Sequence, residues 1–334
     1  MGLDSVFLIT LLIVIGALAF DFINGFHDTA NAIATAVSTK ALRPRIAIVL
    51  AALMNFLGAM TFTGVAQTIT KDIVNPFELQ NGSIVIMASL LSAISWNLIT
   101  WYYGIPSSSS HALIGSIAGA AIASAGVESL HYKGFVKILE ALIFSPIIAF
   151  IIGFIIYTIF KISFKNLNLA KTNKRFRYFQ IATASLQAYT HGMNDAQKAM
   201  GIITMALIAN HYHTTFDIPF WVQLSCATAM GLGTSIGGWK IIKTVGGKIM
   251  KIRPVNGVAA DLSSALIIFG ATYIHLPVST THVISSSILG VGASHRVRGV
   301  KWDTAKTMII TWFITLPITI LLAALFYYLL NIVM

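Results

Sequence analysis

Six stretches of 18 or more largely apolar residues decide what this chain can become. They cover 6–23, 46–69, 83–103, 138–160, 217–239 and 308–330. As helices, each is long enough to cross a hydrocarbon core of about 30 Å. Shorter or polar-interrupted stretches lie at 107–126, 178–209, 257–274 and 281–293. Backbone N–H and C=O groups at membrane depth need partners within the protein, so the fold class expected is an all-α polytopic membrane protein. Composition agrees, with 56% of residues hydrophobic and 10% charged, against about 25% charged in a soluble domain. Met1 to Ser5 carries no positive charge, so the first stretch is read as a span and not as a cleaved leader. The single cysteine, Cys226, excludes an internal disulfide and thiolate metal sites.

A formal net charge of +11 would suit a nucleic-acid binder, but its distribution points to a bilayer. Lys40, Arg43 and Arg45 form one basic group, and 161–177 holds a second with Lys161, Lys165, Lys171, Lys174, Arg175 and Arg177. Lys240, Lys243, Lys248, Lys251 and Arg253 form a third, and Arg296, Arg298, Lys301 and Lys306 a fourth. With these four connections cytoplasmic, the positive-inside bias sets the orientation and puts both termini outside. The loop 71–82, with Lys71, Asp72, Pro76 and Glu78, then faces out. The expected location is the plasma membrane, with the lipid bilayer and not nucleic acid as the surrounding partner.

Ionisable residues recur inside the apolar pattern. Gly25-Phe26-His27-Asp28-Thr29-Ala30-Asn31-Ala32 returns 167 residues later as Gly192-Met193-Asn194-Asp195-Ala196-Gln197-Lys198-Ala199. A carboxylate at the centre of a spanning helix costs roughly 2.5–3.5 kcal/mol, so a duplicated one is read as functional. The polar residues Asn24, Gly25, His27 and Asp28 are expected to interrupt the first helix. A second pair of matching segments is Pro106-Ser107-Ser108-Ser109-Ser110-His111 and Pro277-Val278-Ser279-Thr280-Thr281-His282, 171 residues apart. Each sits at a bend without Lys or Arg, which reads as the tip of a re-entrant helical hairpin, at about 83–126 and about 257–293. The domain organisation expected is a first repeat over 1–160, a cytoplasmic basic connection over 161–177 and a second repeat over 178–334. Because the first motif helix enters and the second leaves, this is an inverted-topology repeat with broken helices, an architecture of secondary transporters.

The chemistry follows from the residue types. Each hairpin proline is expected at a first helical position, where the leading N–H groups lack internal acceptors. Those groups, with the hydroxyls of Ser107, Ser108, Ser109 and Ser110 and of Ser279, Thr280 and Thr281, suit a tetrahedral oxyanion. Asp28 and Asp195 repel such an anion unless cations or protons enter with it. Asn24, Asn31 and Asn194 add neutral oxygens suited to a hard cation such as sodium, with Asp28 and Asp195 as its metal ligands. Lys198 either contacts the anion or pairs with Asp195 one turn away. Asp261 is either an ion ligand or a charge near a helix start. His111 and His282 are read as holding the tips by hydrogen bonds, and His27 and His191 as neighbours of the acids or as proton carriers. The solvated loop residues are Glu128, His131, His211 and His213.

The motif at Gly25–Asn31, its partner Thr190–Gly201 and Leu276–His282 resemble the inorganic phosphate transporter (PiT) family along nearly the whole chain. The resemblance implies a cation-coupled phosphate symporter with re-entrant hairpins in a transport domain, a dimerising scaffold and elevator-like movement. It maps the family's acidic positions onto Asp28, Asp195 and Asp261, and its hairpin tips onto Ser107–Ser110 and Ser279–Thr281. Sodium-coupled animal members have Glu where Asn55 stands and Asn where Lys198 stands. In both respects the chain resembles the bacterial branch, whose better-known members use protons and carry metal–phosphate complexes.

The expected function is therefore import of inorganic phosphate, coupled to sodium or protons, by a homodimer that is not an enzyme and uses no cofactor. No GxxxxGK[ST] segment is present to drive a pump. The alternatives are a sulfate permease of the same family, a divalent-metal carrier using His27, Asp28, His191 and Asp195, or an intramembrane lipid-phosphate enzyme.

Overall fold

The computed structural model describes residues 5–75, 81–166 and 169–333. Among them the first half of the chain forms α1 (Ser5–Ser38), α2 (Pro44–Ala59), α3 (Gly64–Asp72), α4 (Gly82–Tyr103), α5 (Ser109–Ala125) and α6 (Tyr132–Ser163). The second half forms α7 (Leu169–Ala209), α8 (Phe220–Ile236), α9 (Trp239–Gly247), α10 (Pro254–Tyr273), α11 (Thr280–Arg296) and α12 (Trp302–Val333). The duplication read from two short motifs extends over the whole element order. Helices α3 and α9 have 9 residues each, α5 and α11 have 17 each, and α6 and α12 have 32 each. Pro146 inside α6 and Pro317 inside α12 are again 171 residues apart.

Large apolar side chains face outward and the ionisable residues of the two motifs face inward. Ile147, Ile151 and Phe154 on α6 and Phe313, Leu321 and Leu325 on α12 are exposed, while His27, Asp28, His191 and Asp195 are buried. That is the arrangement expected of a chain whose solvent is lipid. Helices α1, α4, α6, α10 and α12 are long and apolar enough to cross a bilayer. Counted as one span, α2 and α3 make a sixth, bent by 66° between its halves. The stretch expected at 217–239 is shorter as a helix, 17 residues in α8.

Two local expectations are corrected. The first motif does not interrupt its helix: α1 runs unbroken for 34 residues through Asn24, His27 and Asp28. Its backbone stays internally hydrogen-bonded and its polar side chains are satisfied sideways by neighbouring helices. The breaks fall instead at 60–63, between α2 and α3, and at Gly237-Gly238, between α8 and α9, where Gly237 has a left-handed φ of 74°. Second, the hairpin prolines do not begin helices. Pro106 and Pro277 stand two residues ahead of the N-caps, and Ser108 and Ser279 take that role. The basic connection at 161–177 is helical at both ends, with Lys161 in α6 and Lys174, Arg175 and Arg177 in α7. Pro76, Glu78, the Lys171 side chain, Met1 and Met334 lie outside the described residues.

The two halves interlock. Helix α1 packs on α8 and α2 on α7, while the hairpin helix α5 packs on α12 and α11 on α6. Each pair takes one helix from each half. The motif glycines make the first two crossings close: a Cβ on Gly25 would collide with backbone atoms of Met230 and Thr234, and one on Gly192 with the backbone of Asn55. Small residues at such crossings let membrane helices gain dispersion contacts that lipid cannot match. Gly192→Val should therefore cost about 1–3 kcal/mol by overpacking, seen as a lower melting temperature in detergent. Gly247→Ala, where an added Cβ meets nothing within 4 Å, should melt with the parent. Equal melting of all three would contradict the crossing.

Candidate functional site

Both hairpins turn inside the protein. Pro106 to His111 and Pro277 to His282 are buried, and the two tips touch. Ser110 Oγ donates to the Val278 carbonyl at 2.8 Å, and the His111 and His282 rings lie 4.5 Å apart between centroids. Each tip is built the same way. The N-cap hydroxyl, Ser108 or Ser279, accepts from the backbone N–H three residues on, at His111 or His282. That capping places Ser109 and Ser110, or Thr280 and Thr281, in the first helical turn, from which Ser109, Thr280 and Thr281 reach the motif helices.

The motif helices meet the tips with two polar seams. Along α1, Asp21, Asn24, Asp28, Asn31 and Thr35 recur every three or four residues and are all buried. Along α7, Gln187, His191, Asn194 and Lys198 do the same, with Gln180 two turns before Gln187 and also buried. From Asp21 to Thr35 the seam rises about 21 Å, most of a bilayer core.

At the meeting point the acids of the two halves are joined through both hairpins. Asp28 Oδ2 accepts from Ser109 Oγ at 2.5 Å, and Asp28 Oδ1 accepts from Thr281 Oγ1 at 2.9 Å. His27 Nδ1 stands 2.6 Å from the same Oδ1, and its other nitrogen 3.1 Å from Thr100 Oγ1. Lys198 Nζ donates to Ser109 Oγ at 2.8 Å and pairs with Asp195 Oδ2 at 3.0 Å. Thr280 Oγ1 donates to Asp195 Oδ2 at 3.1 Å, and Asn24 Nδ2 reaches it at 3.4 Å. Asn31 Nδ2 donates to Thr281 Oγ1 at 2.8 Å. One network thus runs Asp28–Ser109–Lys198–Asp195–Thr280, with every member at most 2% exposed. Lys198 thus pairs with Asp195, one of the two roles its position suggested, and its other contact is the Ser109 hydroxyl.

Other expected site residues lie to the side. Ser107 Oγ donates to Thr100 Oγ1 within its own hairpin at 2.9 Å, and Ser108 and Ser279 are spent as caps. Asn194 Nδ2 donates to Thr272 Oγ1 on α10, which places it behind the second tip. Asp261 is two helical turns along the α1 seam, accepting from Thr35 Oγ1 at 2.6 Å and Thr183 Oγ1 at 3.3 Å. His191 Nδ1 is 2.8 Å from Asn55 Oδ1, and its Nε2 lies 3.4 Å from Asp195 Oδ2. His282 stacks on Trp312 with centroids 4.0 Å apart. Asp21 and Thr100 join these residues without having been expected from the sequence. The three-and-four spacing of Asp21 with Asn24 and Asp28 was the available signal for the first, whereas Thr100 carries none.

The site can do two things chemically. Its hydroxyls and the Lys198 ammonium are donors for an oxyanion, and its two carboxylates are acceptors for cations. At present the donors are spent on the acceptors.

Comparison with known proteins gives this geometry a context. The model of the phosphate transporter family matches residues 24–323. A probable low-affinity inorganic phosphate transporter of Bacillus subtilis is 76% identical over 332 residues, covering 99% of this chain and all of the relative. A protein of the same name from Rhizobium meliloti is 44% identical, over 93% of each chain. A solved structure described as the sodium-dependent phosphate transporter superposes with a TM-score of 0.90 at 25% identity, covering 98% of this chain and 100% of that one.

Removing one partner of a buried ion pair costs about 3–5 kcal/mol, because the other charge is left unpaired. Lys198→Ala should destabilise the protein on that scale, and adding Asp195→Asn should recover part of the loss. Melting temperatures of the two single variants and the double would show this as strong non-additivity; additive losses would mean that the pair is not coupled.

Proposed function

The chain belongs to the phosphate transporter family, and from that membership and the tip geometry we propose that it imports inorganic phosphate as a cation-coupled secondary symporter of the plasma membrane. The observation that carries the reading is that the hydroxyls of Ser109, Thr280 and Thr281, on opposite hairpins, all donate to Asp28 or Asp195. An incoming phosphate competes for those donors, and an incoming cation competes for those carboxylates. Each therefore releases what the other needs. Phosphate alone would face two carboxylates in a low-dielectric pocket, which Coulomb repulsion forbids; a cation alone would leave the Lys198 charge less compensated.

In this reading Ser109, Thr280, Thr281 and Lys198 hold the anion, with Ser107, Ser108, Ser110 and Ser279 shaping the tips around it. Asp28, Asp195, Asn24 and Asn31 receive the coupling ion, while Asn194 and Asp261 hold the second hairpin and the far end of the seam. The likeness to a sodium-dependent phosphate transporter supports sodium as that ion; Lys198 in the place that Asn31 holds in the first half supports a proton. The matched element order and interlocked halves support an inverted repeat, with 1–160 and 178–334 inserted in opposite senses and both termini outside. The tips, touching inside the protein, support an elevator-like movement of hairpins against the longer helices. A homodimer is the assembly that the family resemblance implies.

Uptake of labelled phosphate into liposomes, under a sodium or a proton gradient imposed separately and with sulfate as competitor, tests the proposal. Uptake should follow one of the gradients, resist sulfate, and fall to background in Asp28→Asn and Asp195→Asn variants shown to be folded. Normal uptake by either variant would sink the reading, and strong competition by sulfate would reassign the anion.

A further inference from the structure

The most anomalous group in the molecule lies outside the network just described. Asp21 is 0% exposed, and neither of its carboxylate oxygens has a hydrogen-bond partner among the described residues. Buried polar atoms nearly always have partners, and a carboxylate without one is costly. It sits one turn before Asn24 on the α1 seam, within electrostatic reach of Asp195 and Lys198 on α7 and of Cys226 on α8. Asn24 links the two sides. Its Nδ2 reaches Asp195, while its Oδ1 is also without a partner, as is Asp195 Oδ1. Four acceptor oxygens on two adjoining helices are thus left over: both from Asp21, one from Asn24 and one from Asp195.

Resting on the transport reading above, we propose that Asp21, Asn24 and Asp195 form a binding site for a sodium ion, with Asp21 as the coupling residue that nothing in the duplicated pattern supplies. Oxygen-only donors, carboxylate and amide carbonyl, suit a hard cation. Charge selects its valence. Two carboxylates and the Lys198 ammonium leave one net negative charge, which a monovalent ion neutralises and a divalent one would overshoot. The site is also single. Shifted by 167 residues, Asp21 falls on Ala188 and Asn24 on His191, so the second half has no counterpart. Asp21 and Lys198 both break the symmetry of the repeat, and they have opposite signs. The site adjoins Asp195 Oδ2, the oxygen that accepts from Thr280, so occupation would weaken the hold on a hairpin hydroxyl and offer it to phosphate.

Binding of radioactive sodium to the purified full chain, by equilibrium dialysis in the absence of phosphate, tests this without transport. The parent should bind sodium saturably. Asp21→Asn should weaken that binding by about ten-fold or more, as loss of a charged ligand does, and Asp21→Glu should retain it. Asn24→Ala, which removes a neutral donor and keeps both acids, should weaken it less, and it keeps the test usable if Asp21→Asn does not fold. If folded Asp21→Asn and Asn24→Ala bind sodium like the parent, Asp21 is only a counter-charge for Lys198 and the proposal is overturned. It is equally overturned if the parent binds no sodium. Phosphate uptake driven by protons alone would then leave the transport reading standing, whereas sodium binding without phosphate uptake would sink that reading and keep the site.

Discussion

Everything in this structure depends on how ionisable groups survive in the interior of a membrane protein. Asp28, Asp195 and Lys198 are each almost wholly buried, and none is satisfied by its own helix alone. Asp28 takes hydroxyls from both hairpins, Asp195 takes one from the second hairpin and an ammonium from its own helix, and Lys198 spans the gap through Ser109. A buried pair is weak support for stability in itself, because desolvation offsets its attraction. What it does is tie the positions of the tips to the charge state of the acids. Any ion that changes that state changes what holds the hairpins.

The interlocked packing makes this possible. Within each half the first hairpin helix packs on its own motif helix, α4 on α1 and α10 on α7, while the second hairpin helix packs on the long helix of the other half. Pairing α1 with α8, α2 with α7, α5 with α12 and α11 with α6 buries both seams together. The close approach at Gly25 seats α1 against α8, and that at Gly192 seats α7 against α2. The residues that pack the fold and those that carry charge therefore alternate along the same two helices.

Much of this was legible in the sequence because it was written twice. The paired motifs around Asp28 and Asp195 and the paired Pro-to-His tips marked the two halves and the place where they meet. What stayed hidden depended on sideways contacts. Asn24, His27 and Asp28 looked like a helix break because a lone sequence shows their polarity but not the neighbours that satisfy it. The prolines looked like helix starts because spacing alone cannot separate a first helical position from one two residues ahead of the cap. Asp261 looked like part of the centre, yet seven residues along α1 carry Thr35, its partner, two turns from Asp28. Asp21 had no twin in the second half and so escaped a search led by repetition.

The central claim is that anion and cation each release the groups that the other binds. Equilibrium binding of labelled phosphate to the purified protein, as sodium concentration and pH are varied independently, addresses it most directly, with Asp28→Asn measured alongside. The account predicts that phosphate affinity in the parent rises with one of the two cations, and that Asp28→Asn binds phosphate with a much weaker dependence on that cation, because a neutral amide no longer repels the anion. Phosphate affinity that is the same at every sodium concentration and pH would contradict it.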